Sequence, residues 1–223
     1  MNLAVSRSSV VHRALNDYGI ASSGPIWPRY WALPREAPAF AFDPKQAAGL
    51  MGDGRKSPVR FTCLVSPDPL DERIALELKQ QLAGVGVDMS VEQASRDEIV
   101  QRAGKGQYDA VITELLSGPT MLRTYMIWHS KGPLNWGRFG TPKTDAALDR
   151  VRQAESETTY REAVADLQYA FMADPPAVFL AWSRRARAVS KRFTVPTPEA
   201  GREILSTLRL WKPALDATPS SRN

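Results

Sequence analysis

The chain has 223 residues, 43% hydrophobic and 24% charged, with a mean hydropathy of −0.32. This is ordinary for a globular protein of one large or two small domains, and no apolar run reaches the ~18 residues of a helical membrane span. The single cysteine, Cys63, excludes an internal disulfide and a CxxC metal site, while the net charge of +5 favours anionic partners without establishing one.

The N-terminal stretch MNLAVSRSSVVHRALNDYG spaces Leu3, Val5, Val10, Val11 and Leu15 around Arg7 and Arg13. This predicts an amphipathic helix, not the unbroken apolar stretch of a signal peptide. Pro25, Pro28, Pro34 and Pro38 then forbid regular structure, and Trp27, Tyr30 and Trp31 call for a surface to pack on. An ordered extended segment is expected there. Asp43-Pro44 opens a short helix ending near Gly52 or Gly54. VRFTCLV (59–65) reads as a strand, and the Leu70, Ile74, Leu78, Leu82 stripe as a helix closed by Gly84. VDMSV (87–91) alternates as a strand does, Ser95 and Glu98 form a capping-box pair, and YDAVITELL (108–116) predicts a strand covered on both faces. Strand–helix–strand–helix–strand favours a mainly parallel sheet with right-handed crossovers. An irregular stretch at 117–139, helices at about 143–154 and 158–173, and a strand at 177–183 follow. The tail is basic, then Pro-rich, and is expected to fray after Pro213.

GLMGDGRKS (49–57) is one residue away from a phosphate-binding P-loop. It fails as one because Arg55 separates the last glycine from Lys56, and because a helix precedes it and a strand follows. The order is reversed, so no helix N-terminus faces an anion. With two histidines, His12 and His129, and no GxSxG elbow, a catalytic constellation has little material. The basic run RRARAVSKR (184–192) lacks the aromatic pattern or zinc motif of a nucleic-acid module, and no nucleic-acid partner is expected. The distinctive composition is in 117–139, an aromatic, Asn- and Arg-bearing loop beyond the apolar strand, where ligands of open α/β sheets bind.

The order of these motifs resembles the C-terminal half of an extracellular solute-binding protein of family 5, the dipeptide, oligopeptide and nickel receptors of ABC importers. The N-terminal helix with its Gly-Pro segment, FAFDPKQAAGLMGDG, YDAVITEL and TPKTDAALDRVRQAESETTYREAVADLQYAFMADPPAVFLAW carry the resemblance, over roughly residues 1–213. It implies an α/β lobe with a mainly parallel mixed sheet flanked by helices, incomplete relative to the two-lobed family fold. Residues 1–42 would be the N-terminal helix and extended segment, 43–183 the solute-binding lobe, 184–213 a return toward the missing first lobe, and 214–223 a disordered tail. It further implies a non-enzymatic binding component without a cofactor or metal, partnered by a small-molecule or peptide solute and an importer permease. Leu116, Ser117, Thr120, Trp128, Asn135, Trp136 and Arg138 would face the cleft. LLSGPTML replaces the family's acidic, proline-rich stretch, leaving no evident partner for a peptide amine. Family members are periplasmic or extracellular, whereas this chain as written reads as leaderless and would stay in the cytoplasm. A truncated frame, a split protein or a late start would account for that. Two other readings stay open: an α/β enzyme using His129 and the 117–139 loop, and a basic nucleic-acid-binding module.

Overall fold

The computed structural model describes residues 1–52, 59–116, 120–184, 188–197 and 204–214, in two compact units, Met1–Arg184 and Arg185–Asn223. In the first unit, a 3₁₀ turn Asn2–Ala4 precedes α1 (Arg7–Ser9), which continues as a π turn, Val10–Ala14. One amphipathic helix is expected here, but Ser6 breaks it. Its hydroxyl caps α1 by accepting from Ser9 N–H, and its own N–H donates to Gln81 Oε1 at 2.6 Å. Arg7 beyond it is buried, donating from Nε to the Phe179 carbonyl at 2.7 Å.

After β1 (Gly19–Ala21), the proline-rich segment lies against the helical layer. Ile26 and Ala32 are buried there, Trp31 stacks on Tyr160 at 5.3 Å, and the Gln168 amide donates to the Ser23 and Pro38 carbonyls. The chain then runs through α2 (Pro44–Gly52), β2 (Val59–Val65), α3 (Pro69–Ala83), β3 (Val87–Gln93), α4 (Arg96–Lys105) and β4 (Ala110–Val111). The helix-then-strand order around GLMGDGRKS is present, although residues 53–58 themselves lie outside the described residues.

These strands form a three-stranded parallel sheet in the order β3-β2-β4. Cys63, Val65, Val87 and Met89 point to one face and meet α3, while Leu64 points to the other and meets Ile99 of α4. The two crossovers therefore lie on opposite faces, which right-handedness requires when the second must pass back over the central strand. β4 is shorter than its apolar run predicts. Only Ala110 and Val111 join the ladder, and the Thr62 N–H below them donates to the Asp109 carboxylate instead of to backbone.

The helical layer comprises α5 (Leu122–Trp128), α6 (Pro142–Gln153) and α7 (Glu157–Ala173). Leu148, Val164, Leu167 and Phe171 form its fully buried centre. α5 falls where an irregular stretch is expected, and its N-cap Met121 makes no side-chain cap; the side-chain acceptor at its start is Thr120, one residue earlier. The cap of α7 is Ser156, reciprocated by Thr159, and Ser95 caps α4 by accepting from Glu98 N–H. The expected 177–183 strand is confined to β5 (Ala181–Ser183), antiparallel to β1. Its first half has lost the Phe179 carbonyl to Arg7.

The second unit contains β6 (Phe193–Thr194) paired antiparallel with β7 (Lys212–Pro213), and a 3₁₀ helix, Ile204–Leu210. Phe193 and Trp211 lie 6.0 Å apart. Within the basic run, Lys191 and Arg192 are exposed and residues 185–187 lie outside the described residues.

Candidate functional site

In a β3-β2-β4 sheet the strand order reverses between β2 and β4, and ligands of open α/β sheets bind beyond the carboxyl ends at such a point. β2 delivers Ser66 there, buried, its hydroxyl donating to Asp71 at 2.6 Å and accepting from Asp68 N–H. Asp68 caps α3 by accepting from Leu70 N–H at 2.8 Å, and its carboxylate lies 3.7 Å from the Arg96 guanidinium at the first turn of α4. β4 leads into Thr113–Leu116. Glu114 accepts from the Ser183 hydroxyl at 3.3 Å, while Leu115 and Leu116 stand exposed at 43% and 55%. Beyond, Thr120 is exposed and accepts from Leu122 N–H, and Arg123 of α5 donates to the Leu116 carbonyl at 3.4 Å. Apolar side chains, a carboxylate and a guanidinium therefore sit along one edge, a composition suited to a small amphipathic solute.

The seven residues expected to face a cleft are not gathered at this edge. Leu116 and Thr120 belong to it, and Ser117 lies outside the described residues. Trp128 is half-buried and packs edge-on against Phe179 at 5.5 Å and Phe171 at 6.5 Å. The Asn135 amide accepts from Phe139 N–H at 3.0 Å and donates to the carbonyls of His129 and Phe139, so all of these contacts brace its own loop. Trp136 is half-buried, with its N–H donating to the Leu134 carbonyl. Arg138 has φ +50° and lays its guanidinium over Gly106, the left-handed cap of α4. Gly106 precedes β4, so Arg138 stands toward the amino-terminal end of that strand while Leu116 lies past the other.

Sequence reasoning passed over Ser66, Asp71, Arg96, Glu114 and Ser183. The available signal was positional: Ser66-Pro67-Asp68-Pro69 follows a strand directly and opens a helix, which places it at the carboxyl edge of any such sheet.

His129 is buried at 3% exposure. Its Nδ1 accepts from Lys131 N–H at 3.0 Å, which puts the ring proton of the neutral imidazole on Nε2. Burial pushes the Cys63 thiol up to about 11, away from the reactive thiolate. Among the described residues no group of three His, Cys, Asp or Glu side chains converges as a metal site, and no helix is long and apolar enough to cross a membrane.

A family-wide sequence model described as bacterial extracellular solute-binding proteins, family 5 middle, matches residues 1–135. A probable di/tripeptide-binding protein 5 of Pseudomonas aeruginosa is 26% identical over 165 residues, covering 70% of this chain and 31% of its own length. NikZ from Campylobacter jejuni, solved in complex with Ni(L-His), is 22% identical with a TM-score of 0.71, over 82% of this chain and 40% of NikZ. The oligopeptide-binding protein AppA of Bacillus subtilis, solved with a nonapeptide, is 20% identical with a TM-score of 0.72, over 82% of this chain and 40% of AppA. The chain thus spans 31% to 40% of the length of these relatives and shares its fold with the corresponding part of the solved ones. A family match over more than half its length, together with the parallel sheet and flanking helices, places the chain among the bacterial extracellular solute-binding proteins of family 5.

Proposed function

We propose that this chain forms one wall of the solute cleft in an ABC-importer receptor, holding a peptide-like solute at the carboxyl edge of β2 and β4. The observation that carries the reading is the exposure of Leu115 and Leu116 beside Glu114, beyond the strand end where the sheet order reverses. The leucines offer apolar contact and Glu114 a counter-charge for an amine. Leu116, Ser117 and Thr120 are the proposed contacts, with Trp128 and Asn135 as internal supports. Trp136 and Arg138 belong to the neighbouring loop surface. The names of two relatives, a di/tripeptide-binding protein and a nonapeptide complex, support a peptide-like solute, beside NikZ with its Ni(L-His).

The protein's role is binding without turnover. The rest of the receptor supplies the second wall, and the assembly works outside the cytoplasmic membrane with a permease. A single wall leaves a solute half in water, so the chain alone should bind weakly, with a Kd of about a millimolar. Titration of the ¹⁵N-labelled chain with trileucine tests this. Amide shifts should concentrate in 113–116 and 120–123 and vanish in Leu116→Asp. Shifts confined to other segments, or none at tens of millimolar peptide, would overturn the assignment.

A further inference from the structure

β2 is aligned very differently on its two sides. Toward β3, seven residue pairs run from Val59–Val87 to Val65–Gln93. Toward β4 there are two, Cys63–Ala110 and Leu64–Val111, extended by Ile112 N–H donating to the Leu64 carbonyl at 3.0 Å. The apolar pattern does not select the alignment on this side either. Ala110 and Ile112 pack into the cluster under α3, and Val111 into the cluster with Ile99 of α4. All three are apolar, so moving β4 along by one residue still buries an apolar side chain on each face. A strand with one solvated face is pinned by its pattern; Ala-Val-Ile between two covered faces is not.

One further bond belongs to a single alignment. The Asp109 carboxylate accepts from Thr62 N–H at 2.9 Å, two residues before Leu64 on β2. Asp109 is exposed, yet its carboxylate is spent on the backbone of the neighbouring strand. Upstream, past the left-handed Gly106, Gln107 N–H donates to the Arg102 carbonyl at 2.8 Å. Only Tyr108 therefore separates the anchored end of α4 from Asp109. A shift of one residue would carry Asp109 about 3.3 Å along β2, out of hydrogen-bond reach of Thr62.

We propose that Asp109 is the register pin of β4 and, through it, a positioning residue for the solute edge. Successive side chains of a strand point to opposite faces, so a one-residue slip turns the segment over. The segment leaving β4 is Thr113–Leu116, in which Glu114 accepts from the Ser183 hydroxyl and the Leu116 carbonyl accepts from Arg123. A slip moves these groups by about 3.3 Å and exchanges the sides that Glu114 and Leu115 present. Asp109 stands at the amino end of β4, away from that edge, and acts by deciding which residues reach the other end. The positioning role rests on the reading of 114–116 as the solute edge, whereas the register does not.

Backbone NMR of the full ¹⁵N,¹³C-labelled chain, with trileucine as the probe, tests this. In the unsubstituted chain Thr62 N–H should be protected from solvent exchange, like Ile112 N–H, and interstrand NOEs should set Leu64 opposite Val111. Asp109→Ala removes the acceptor, and those NOEs should give way to a shifted or averaged set. Trileucine binding read at 113–116 should then weaken about tenfold, the size expected for one charge-assisted hydrogen bond, while α6 and α7 keep their spectra. Asp109→Asn keeps an oxygen acceptor and should keep both register and binding. An Asp109→Ala chain that holds Leu64 opposite Val111, or that binds trileucine as before, would overturn the proposal. So would loss of register in Asp109→Asn. An unprotected Thr62 amide in the unsubstituted chain would do so without any variant, so a misfolded Asp109→Ala is no shelter. If trileucine moves no amide of the unsubstituted chain, the solute reading fails, and the register measurements alone decide whether Asp109 is the pin.

Discussion

Glu77 sits among polar residues of α3, yet it is only 7% exposed. Burial alone would raise its carboxyl. Hydrogen bonds from Ser9 at 2.7 Å and Gln81 at 2.6 Å and the charge of Arg13 at 3.6 Å outweigh that, and hold it below the ordinary 4.5. A carboxyl lowered by folding stabilises fully above its unfolded value, and the contribution is lost as pH falls through the folded one. Glu77→Gln should therefore cost stability at pH 7, and its denaturation midpoint should converge on that of the unsubstituted chain below about pH 4.5. A gap that is independent of pH would show that the charge is irrelevant. Arg7 is the complementary case. Burial lowers it to about 10, so it remains charged at neutral pH while donating to the carbonyls of Asn2, Val5 and Phe179. Neither role is visible in residue type or spacing, because Ser9 and Arg13 reach Glu77, and Phe179 reaches Arg7, only through the fold. The same holds for Asn135, whose residue type suggests a ligand contact but whose amide braces its own loop.

At the scale of elements, β2, β3 and α3 follow from local rules: β-branched alternation, an apolar stripe at helical spacing, and Asp68-Pro69 as a start signal. α7 is the longest helix and begins on a reciprocal cap, with Ser156 Oγ accepting from Thr159 N–H and Thr159 Oγ accepting from Ser156 N–H. Ser156→Ala should cost about 1 kcal/mol in chemical denaturation. A change below about 0.3 kcal/mol would mean that the buried face of α7, and not its cap, determines where it starts. β4 and β5 departed from expectation for a shared reason. At the amino ends of both strands a side chain takes the place of a backbone partner: the Asp109 carboxylate at Thr62, and Arg7 at Phe179; beyond Ile112, whose N–H still reaches the Leu64 carbonyl, β4 stops where β2 ends at Val65. Propensity describes what a segment tolerates and is silent about which partner reaches it first.

Among the described residues, the three apolar clusters are composed of residues from the first unit. A chain ended at Arg184 should therefore keep its far-ultraviolet circular dichroism and unfold cooperatively, with a Tm within a few degrees of the full chain. A broad, non-cooperative melt would place part of the core's support in residues 185–223.

The alternating and helical apolar patterns were enough to specify a parallel α/β lobe and to reject a phosphate loop, because those properties depend on neighbours within one or two turns of chain. Composition also drew attention to 117–139, but could not divide it. Only the tertiary structure separated Leu116 and Thr120, past the carboxyl end of β4, from Arg138 near its start, and made His129 and Asn135 part of a closed turn. The reason is physical: a residue's type sets which bonds it can form, whereas its role depends on which partners folding brings within about 3 Å.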